Sequence, residues 1–199
     1  MAVQSDYRYS LTVNGTTQFE VVRFVLKEHL SALFRLELDL ASFGSEPNFH
    51  SLIDHPATLT FWQGNETIRS VNGIITALNQ GETGFTRTRY HMVIEPSLCR
   101  AGLQTDLRIF QQQDSQKIIE TLLSKNQVSQ SQFHLQTPYW TREYCVQYRE
   151  TDLNFIQRLA AEEGSYYYFE HTNDSHILHF SNSTTLSEKK GNLVYNAMP

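Results

Sequence analysis

The feature that most constrains the fold of this chain is an alternation of apolar and polar residues through its first half. Residues from Phe34 to Leu40 are apolar at every second position with charged residues between them, and Tyr7 to Val13 repeats the pattern. Side chains of a β-strand point alternately to opposite faces, so the pattern indicates strands with one buried face. It predicts six strands, over residues 7–13, 19–27, 34–40, 57–62, 68–78 and 86–95.

Turn-forming residues separate these strands. Asn14-Gly15 readily adopts the positive φ angles of a two-residue turn, so it predicts a hairpin between the first two strands. Residues 42–56 predict a loop, and Pro96 ends the sixth strand because proline cannot donate to a ladder. Six antiparallel strands with short connections favour a sheet curled into a barrel or sandwich, which avoids long exposed edges.

The second half of the chain mixes helices with strands. Asp114 is expected to cap a helix that runs to about Lys125, and Thr151 to cap a second helix that stops at Gly164. Strands are expected over residues 144–149, 166–171 and 176–180, after a polar stretch that ends near residue 136. The predicted fold class is therefore mainly β or α+β: an antiparallel β-barrel over residues 1–100, then an α+β lobe with two helices over residues 101–199, with the two parts able to interleave.

Composition argues against several classes of function. The chain of 199 residues has a net charge of −5, which disfavours nucleic acid as a partner. Its two cysteines, Cys99 and Cys145, are too few for a disulfide framework or a zinc site of their own. The first residues lack a signal-peptide pattern, and no apolar run approaches the ~18 residues of a membrane span. Stable membrane insertion is not expected, and any export must use a route without a cleaved signal peptide.

Three histidines near the end of the second half could suggest a metal cluster. However, His176 and His179 are three residues apart on one predicted strand, so they should face opposite sides of the sheet and cannot join His171 on one ion. We therefore expect surface or hairpin histidines instead of metal ligands.

Acidic and aromatic residues of the second half have structural explanations. Capping and solvated helix faces account for the carboxylates that could in principle act as acid and base, namely Glu143, Glu150, Asp152, Glu162 and Glu163. The run from Tyr166 to Tyr168 is read as a central strand covered on both faces, and Cys145 as an inert core residue. Nucleophile elbows and phosphate-binding loops are absent from the sequence. No catalytic, cofactor-binding or metal-binding residue is predicted, and no cofactor.

One long segment resembles a known family. The run REYCVQYRETDLNFIQRLAAEEGSYYYFEH, from Arg142 to His171, resembles the hub region of VgrG proteins, the trimeric spikes of the type VI secretion system, which are related to contractile phage baseplate hubs. HLSALFRLELDL, VNGIITAL and DLRIFQQQDSQKIIETLL, at residues 29–40, 71–78 and 106–123, resemble further segments of that family in the same order. The resemblance covers roughly residues 5 to 185.

The resemblance implies a structural role without a reaction. VgrG hubs form a homotrimer whose paired barrels create a ring that joins the hexameric Hcp tube and continues into the spike. Expected partners are therefore Hcp, further VgrG chains, and effectors or baseplate proteins. The resemblance also implies a location in the cytoplasm before firing, and outside the cell or in a target cell afterwards.

The sequence is compatible with two other functions. A full VgrG chain is several times longer, so a chain like this one could instead be a stand-alone barrel adaptor that binds an effector or phage-tail partner. A hydrolase that uses acids such as Glu143 and Glu150 is the third alternative. Because much of the trimer contact of the family lies in a second barrel, an OB-fold and the spike, we expect the isolated chain to be monomeric or only weakly trimeric.

Overall fold

The first half of the chain forms one six-stranded antiparallel sheet. The structure is a computed structural model that describes residues 7–16, 19–43 and 49–183. The strands are β1 (Tyr7–Val13), β2 (Glu20–Lys27), β3 (Arg35–Ser42), β4 (Pro56–Gln63), β5 (Glu66–Thr83) and β6 (Thr88–Glu95). Their order in the sheet is β1-β4-β5-β6-β3-β2. All six predicted strands are confirmed.

The sheet curls around a core built from alternate residues of its strands. Leu36, Leu38 and Leu40 of β3 are fully buried in this core, as their spacing predicts. The curl brings the two end strands together, because the ring of Tyr9 on β1 lies 5.0 Å from that of Phe24 on β2. The expected antiparallel barrel is therefore present as a curled sheet whose ends meet through side chains.

The expected hairpin between β1 and β2 is wrong, although its turn forms. Asn14 and Gly15 have φ angles of 49° and 75°, and Val13 and Thr16 exchange both backbone hydrogen bonds across the turn. However, β1 pairs with β4 along its whole length, and β2 pairs with β3. Alternation fixes which face of a strand is buried and not which strand lies beside it. The turn therefore connects the two ends of the curled sheet.

Within residues 97–183, the second half contains five strands and two helices. They are β7 (Thr105–Gln113), α1 (Ser115–Lys125), β8 (Ser131–His134), β9 (Arg142–Thr151), α2 (Asp152–Glu162), β10 (Tyr166–His171) and β11 (His176–Ser181), preceded by a 3-10 helix at Ser97–Gly102. Strands β7 and β9 pair antiparallel, and β10, β11 and β8 form a second small sheet. Neither β7 nor β8 is predicted from the sequence. Residues 184–199, assigned to the second lobe, lie outside the described residues.

Both predicted helices are confirmed with their caps. The Asp114 carboxylate accepts from the backbone N–H of Lys117 at 2.8 Å, and the Thr151 hydroxyl accepts from that of Asn154 at 3.1 Å. Gly164, with φ +66°, follows α2 in the left-handed conformation. Each helix has 11 residues, and no helix in the described ranges is both long and apolar enough to cross a membrane.

The tyrosine run occupies an edge strand, which corrects the expectation of a central one. Strand β10 is at the end of its three-stranded sheet, and only Tyr167 points into the core, with 1% of its surface exposed. Tyr166 and Tyr168 are half-buried on the other face. The backbone N–H of Ser31 donates to the Tyr167 carbonyl at 2.8 Å, so the segment before β3 covers part of this edge.

Candidate assembly surface

An exposed apolar surface lies on the two-stranded ribbon formed by β7 and β9. Leu107 lies opposite Tyr148 in the ladder, and Gln111 lies opposite Tyr144, with Ile109 between them on the same face. Leu107, Ile109, Tyr144 and Tyr148, which we call the outer ribbon face, are each between 61% and 66% exposed. A group of large apolar side chains on one exposed face is typical of surfaces that contact other proteins.

The opposite face of the ribbon is buried against the helices. Phe110 and Cys145, directly opposite each other in the ladder, belong to the second hydrophobic core together with Phe155 of α2. Burial raises the pKa of the Cys145 thiol, so the thiolate is disfavoured. This position confirms Cys145 as a core residue. The ribbon thus has apolar residues on both faces, and only one face is covered within the described residues.

A buried carboxylate fixes the ribbon to both helices. Asp152 is 2% exposed and accepts hydrogen bonds from Gln147 Nε2 of β9 at 2.8 Å and from Asn126 Nδ2 after α1 at 2.9 Å. Lys125 Nζ lies 3.1 Å from its Oδ2 atom, and Arg108 of β7 lies 3.7 Å from its Oδ1 atom. Asp152 therefore connects two strands and two helices that present the outer ribbon face.

Other carboxylates considered as catalysts form ion pairs. Arg158 contacts Glu150 at 2.6 Å and Glu162 at 2.9 Å, and Arg142 contacts Glu162 and Glu163, each at 2.8 Å. Desolvation opposes ionisation of Glu162, but the hydrogen bonds from the two arginines hold its pKa below the usual value. These contacts attach β9 to α2.

The remaining acidic candidate is Glu143, which lies apart from this network. Its side chain is exposed near the start of β9. The structure therefore does not bring Glu143 and Glu150 together as a pair.

The three histidines divide between the two faces of their hairpin, as predicted. His171 and His176 pack against the ring of Phe34, at centroid distances of 4.9 and 5.9 Å. His179 lies on the other face, where it stacks on Tyr168 at 5.0 Å. All three lie on the β10–β11 hairpin but are largely buried, which corrects the idea of surface histidines. Within residues 7–16, 19–43 and 49–183, no group of three potential ligands could hold a metal ion.

Two of these histidines connect the hairpin to the first half of the chain. His171 Nδ1 accepts from the backbone N–H of Asn72 on β5 at 3.1 Å, and His176 Nε2 accepts from that of Ser97 at 3.3 Å. Burial lowers the pKa of each histidine to about 4. Both rings are therefore neutral at pH 7 and accept hydrogen bonds from the other half of the chain.

Sequence reasoning missed the outer ribbon face. Leu107 and Ile109 alternate with Asp106 and Arg108, which is a strand signal, but no strand is predicted between Pro96 and the helix that Asp114 caps. The apolar side chains that alternation would place in a core point outward instead.

Solved structures define the class of fold. The chain superimposes with a TM-score of 0.83 on the E. coli c3393 protein, a component of the type VI secretion system with structural similarity to the T4 bacteriophage tail proteins gp27 and gp5. That match is 23% identical and covers 90% of this chain and 50% of the other. The 43 kDa tail protein of prophage MuSo2 from Shewanella oneidensis matches with a TM-score of 0.62, at 12% identity over 86% of this chain and 53% of that chain. The fold is that of phage-tail-like hub proteins.

Sequence comparison then gives the family. Residues 27–198 match the phage tail baseplate hub (GPD) family, and the chain belongs to it. It is 37% identical over 199 residues to the type VI secretion system spike protein VgrG2a of Pseudomonas aeruginosa, an alignment that covers 98% of this chain and 24% of VgrG2a. It is 39% identical over 166 residues to the spike protein VgrG3 of Vibrio cholerae, covering 83% of this chain and 16% of VgrG3.

A third relative carries a different description. The actin cross-linking toxin VgrG1 of Vibrio cholerae is 38% identical over 166 residues, covering 83% of this chain and 15% of VgrG1. The resemblance to VgrG proteins is confirmed, and the chain spans about a quarter or less of the length of these curated relatives.

Proposed function

We propose that this chain is a structural hub component of a type VI secretion puncturing device, which joins the Hcp tube to the spike and aids effector delivery. The observation that carries the proposal is 37% identity to a spike protein over 98% of the chain, combined with the tail-hub fold. The chain would act by holding other subunits in place while contractile force is transferred.

The arrangement of side chains supports a role without catalysis. The carboxylates of Glu150, Glu162 and Glu163 are held by arginines, and Asp152 joins strands to helices. Apolar surface, in contrast, is exposed on the outer ribbon face, where another protein can bury it.

The proposal extends to domain organisation and location. Residues 1–100 would act as the tube-like barrel and residues 101–199 as the α+β lobe, with Phe169 packing against the cores of both. Within a longer chain this unit would form part of a homotrimer. The protein would reside in the cytoplasm before firing and be exported by the apparatus without a cleaved signal peptide, to the outside or into a target cell.

A pull-down against purified Hcp hexamers tests the proposal. The chain is immobilised on one resin, and a version extended through a second barrel taken from a VgrG relative is immobilised on another. We expect both to retain Hcp, the extended version more strongly, and light scattering to show the isolated chain as a monomer or weak trimer. Failure of both versions to retain Hcp would contradict the proposed function.

A stand-alone adaptor is the second candidate, favoured by the outer ribbon face because that face lies outside the barrel. In the same assay, retention of an effector or phage-tail protein by the chain, without retention of Hcp by either version, would favour the adaptor.

A further inference from the structure

One edge of strand β10 has no partner strand over its last residues. On the side away from β11, the Tyr167 carbonyl accepts from the backbone N–H of Ser31 at 2.8 Å. The backbone groups of every second residue in an antiparallel strand point to the same edge. The N–H and carbonyl groups of Phe169 and His171 therefore also point away from β11, and no described residue forms a backbone hydrogen bond with them there. Unpaired groups of this kind can pair with another extended chain.

The start of β5 has a second edge without a partner strand, and it faces the same space. β5 pairs with β4 from its first residue, but its pairing with β6 begins only at Ile74. The Asn72 N–H points away from β4 and donates to His171 Nδ1 at 3.1 Å. By the same alternation, the backbone N–H and carbonyl of Ser70 point away from β4. A cavity of about 350 Å³ lies between the two edges, lined by residues of β5, by β10 and its following turn, and by Glu28.

A buried hydrogen-bond donor lines this cavity. The His171 side chain is 7% exposed, and because its Nδ1 atom accepts from Asn72, the neutral ring carries its proton on Nε2. Nε2 has no hydrogen-bond partner among the described residues, and the Glu28 Oε1 atom, 3.8 Å away, is too distant to be one. Because buried polar groups are nearly always paired, this donor indicates a position at which a ligand can supply an acceptor.

The Glu28 carboxylate at the mouth of the cavity has one oxygen available to a ligand. Its Oε2 atom lies 2.6 Å from the Arg69 guanidinium, whereas Oε1 faces His171 and accepts no hydrogen bond from any described residue. The two side chains are 39% and 48% exposed, so a ligand can reach them from solvent. A hydroxyl or carboxamide group placed between Oε1 and the His171 Nε2–H can donate to the first and accept from the second.

We propose that this cavity binds an extended segment of another polypeptide, which adds as a strand to the free edge of β10. The segment places a serine, threonine, asparagine or glutamine side chain between His171 and Glu28. Two facing edges with unpaired backbone groups favour a peptide over a compact small molecule, because an extended backbone offers donors and acceptors along both of its edges. The inference goes beyond the hub role and does not depend on contact with the tube.

A library of random peptides displayed on phage supplies the probe. The library is first depleted on immobilised Glu28→Ala and then selected on the unaltered full chain, and the selected peptides are synthesised. We expect these peptides to bind the unaltered chain at least about tenfold more tightly than Glu28→Ala, because hydrogen bonds to charged groups are the strong ones. Glu20→Ala, which removes another exposed carboxylate beside an arginine, is the matched control and should bind as the unaltered chain does. Thermal unfolding of both variants checks the fold.

Two measurements on the selected peptides test strand addition. N-methylation at alternate peptide residues, which blocks hydrogen bonds to β10, should weaken binding at least about tenfold and more than N-methylation of the residues between them. Hydrogen exchange followed by nuclear magnetic resonance should show the amide protons of Phe169 and His171 slowed at least about tenfold by the bound peptide. The amide protons of the β7–β9 ribbon should be unchanged.

Several outcomes would overturn the inference. Peptides that tolerate N-methylation at every position, or that leave the exchange of the Phe169 and His171 amides unchanged, would exclude strand addition to β10. Selection of no peptide that distinguishes the unaltered chain from Glu28→Ala, or an equal loss of binding with Glu20→Ala, would exclude the site. Failure of the Hcp pull-down together with slowed exchange at Phe169 and His171 would contradict the proposed function and support this inference.

Discussion

Removal of the buried Asp152 carboxylate should destabilise the second lobe strongly. In Asp152→Ala, the amide groups of Gln147 and Asn126 lose an acceptor at 2.8 and 2.9 Å, and Lys125 loses a partner at 3.1 Å. Gln147 is fully buried, so water cannot readily replace the lost contact. The first turn of α2 also loses the negative charge that favours its positive end.

The size of the effect follows from these contacts. Each of the two hydrogen bonds to the charged carboxylate is worth about 1.5–3 kcal/mol, whereas Lys125 is partly exposed and keeps Asp106 at 3.3 Å, so the loss of its contact adds little. Because the contacts of Asp152 share one carboxylate, their contributions do not simply add. We expect Asp152→Ala to lower the free energy of unfolding by about 3–5 kcal/mol.

Urea unfolding followed by circular dichroism at pH 7 measures this difference. Glu143→Ala is the matched control, because it removes an exposed carboxylate from β9 and should change the free energy of unfolding by less than about 0.5 kcal/mol. A loss below about 1 kcal/mol for Asp152→Ala, or one equal to that of the control, would refute the argument that this carboxylate holds ribbon and helices together.

Three further changes test other parts of the fold. Leu159→Asp places an unpaired charge at a fully buried position of α2 and should unfold the second lobe. Leu159→Met should lower the free energy of unfolding by less than about 1.5 kcal/mol. An unchanged circular dichroism melt for Leu159→Asp would contradict the helix packing. Acidification should destabilise the protein, because burial lowers the pKa values of His171 and His176 to about 4 and the unfolded chain therefore binds these protons first. The loss should develop as the pH falls from about 6.5 to about 4 and amount to about 3 kcal/mol for each histidine. Urea unfolding should show a shallower loss of stability with falling pH when both histidines are changed to Asn. The same dependence of stability on pH in the variant and the unaltered chain would contradict this explanation. Gly73→Ala should destabilise the barrel by about 1–3 kcal/mol, because its Cβ would lie 2.5 Å from a backbone oxygen of β6. Gly84→Ala is the control, since its Cβ would meet no atom closer than 3.4 Å. Equal melting temperatures for the two variants would show that β6 moves aside without loss of stability.

Local patterns predict where strands and helices form better than they predict which strands pair. The alternation around Leu36, Leu38 and Leu40 predicts a one-faced strand because burial repeats every two residues, and the structure confirms it. The caps at Asp114 and Thr151 are equally local and are confirmed. The partner of β1, in contrast, depends on how far the whole sheet curls, and neighbouring residues contain no signal for it.

Sequence patterns fail for apolar residues that face outward and for residues whose partners are distant along the chain. Leu107 and Ile109 are apolar but exposed, so the rule that apolar residues form the core fails on β7. Strand β8 is only four residues long and pairs parallel to β11, and only Phe133 among its side chains stacks on a core ring. The position of Asp152 at the positive end of α2 is visible in the sequence, but its contact with Arg108 joins residues 44 positions apart and requires coordinates.

Replacement of the corresponding segment of a working spike protein tests the central claim most directly. Residues 1–199 of this chain would substitute for the matching part of VgrG2a, to which they are 37% identical, in cells that lack that protein, and Hcp released into the medium would be measured. The account predicts release of Hcp by cells that make the chimera and none by cells without it. A chimera that accumulates to normal levels and folds, yet supports no release of Hcp, would contradict the assignment of this chain as a hub component.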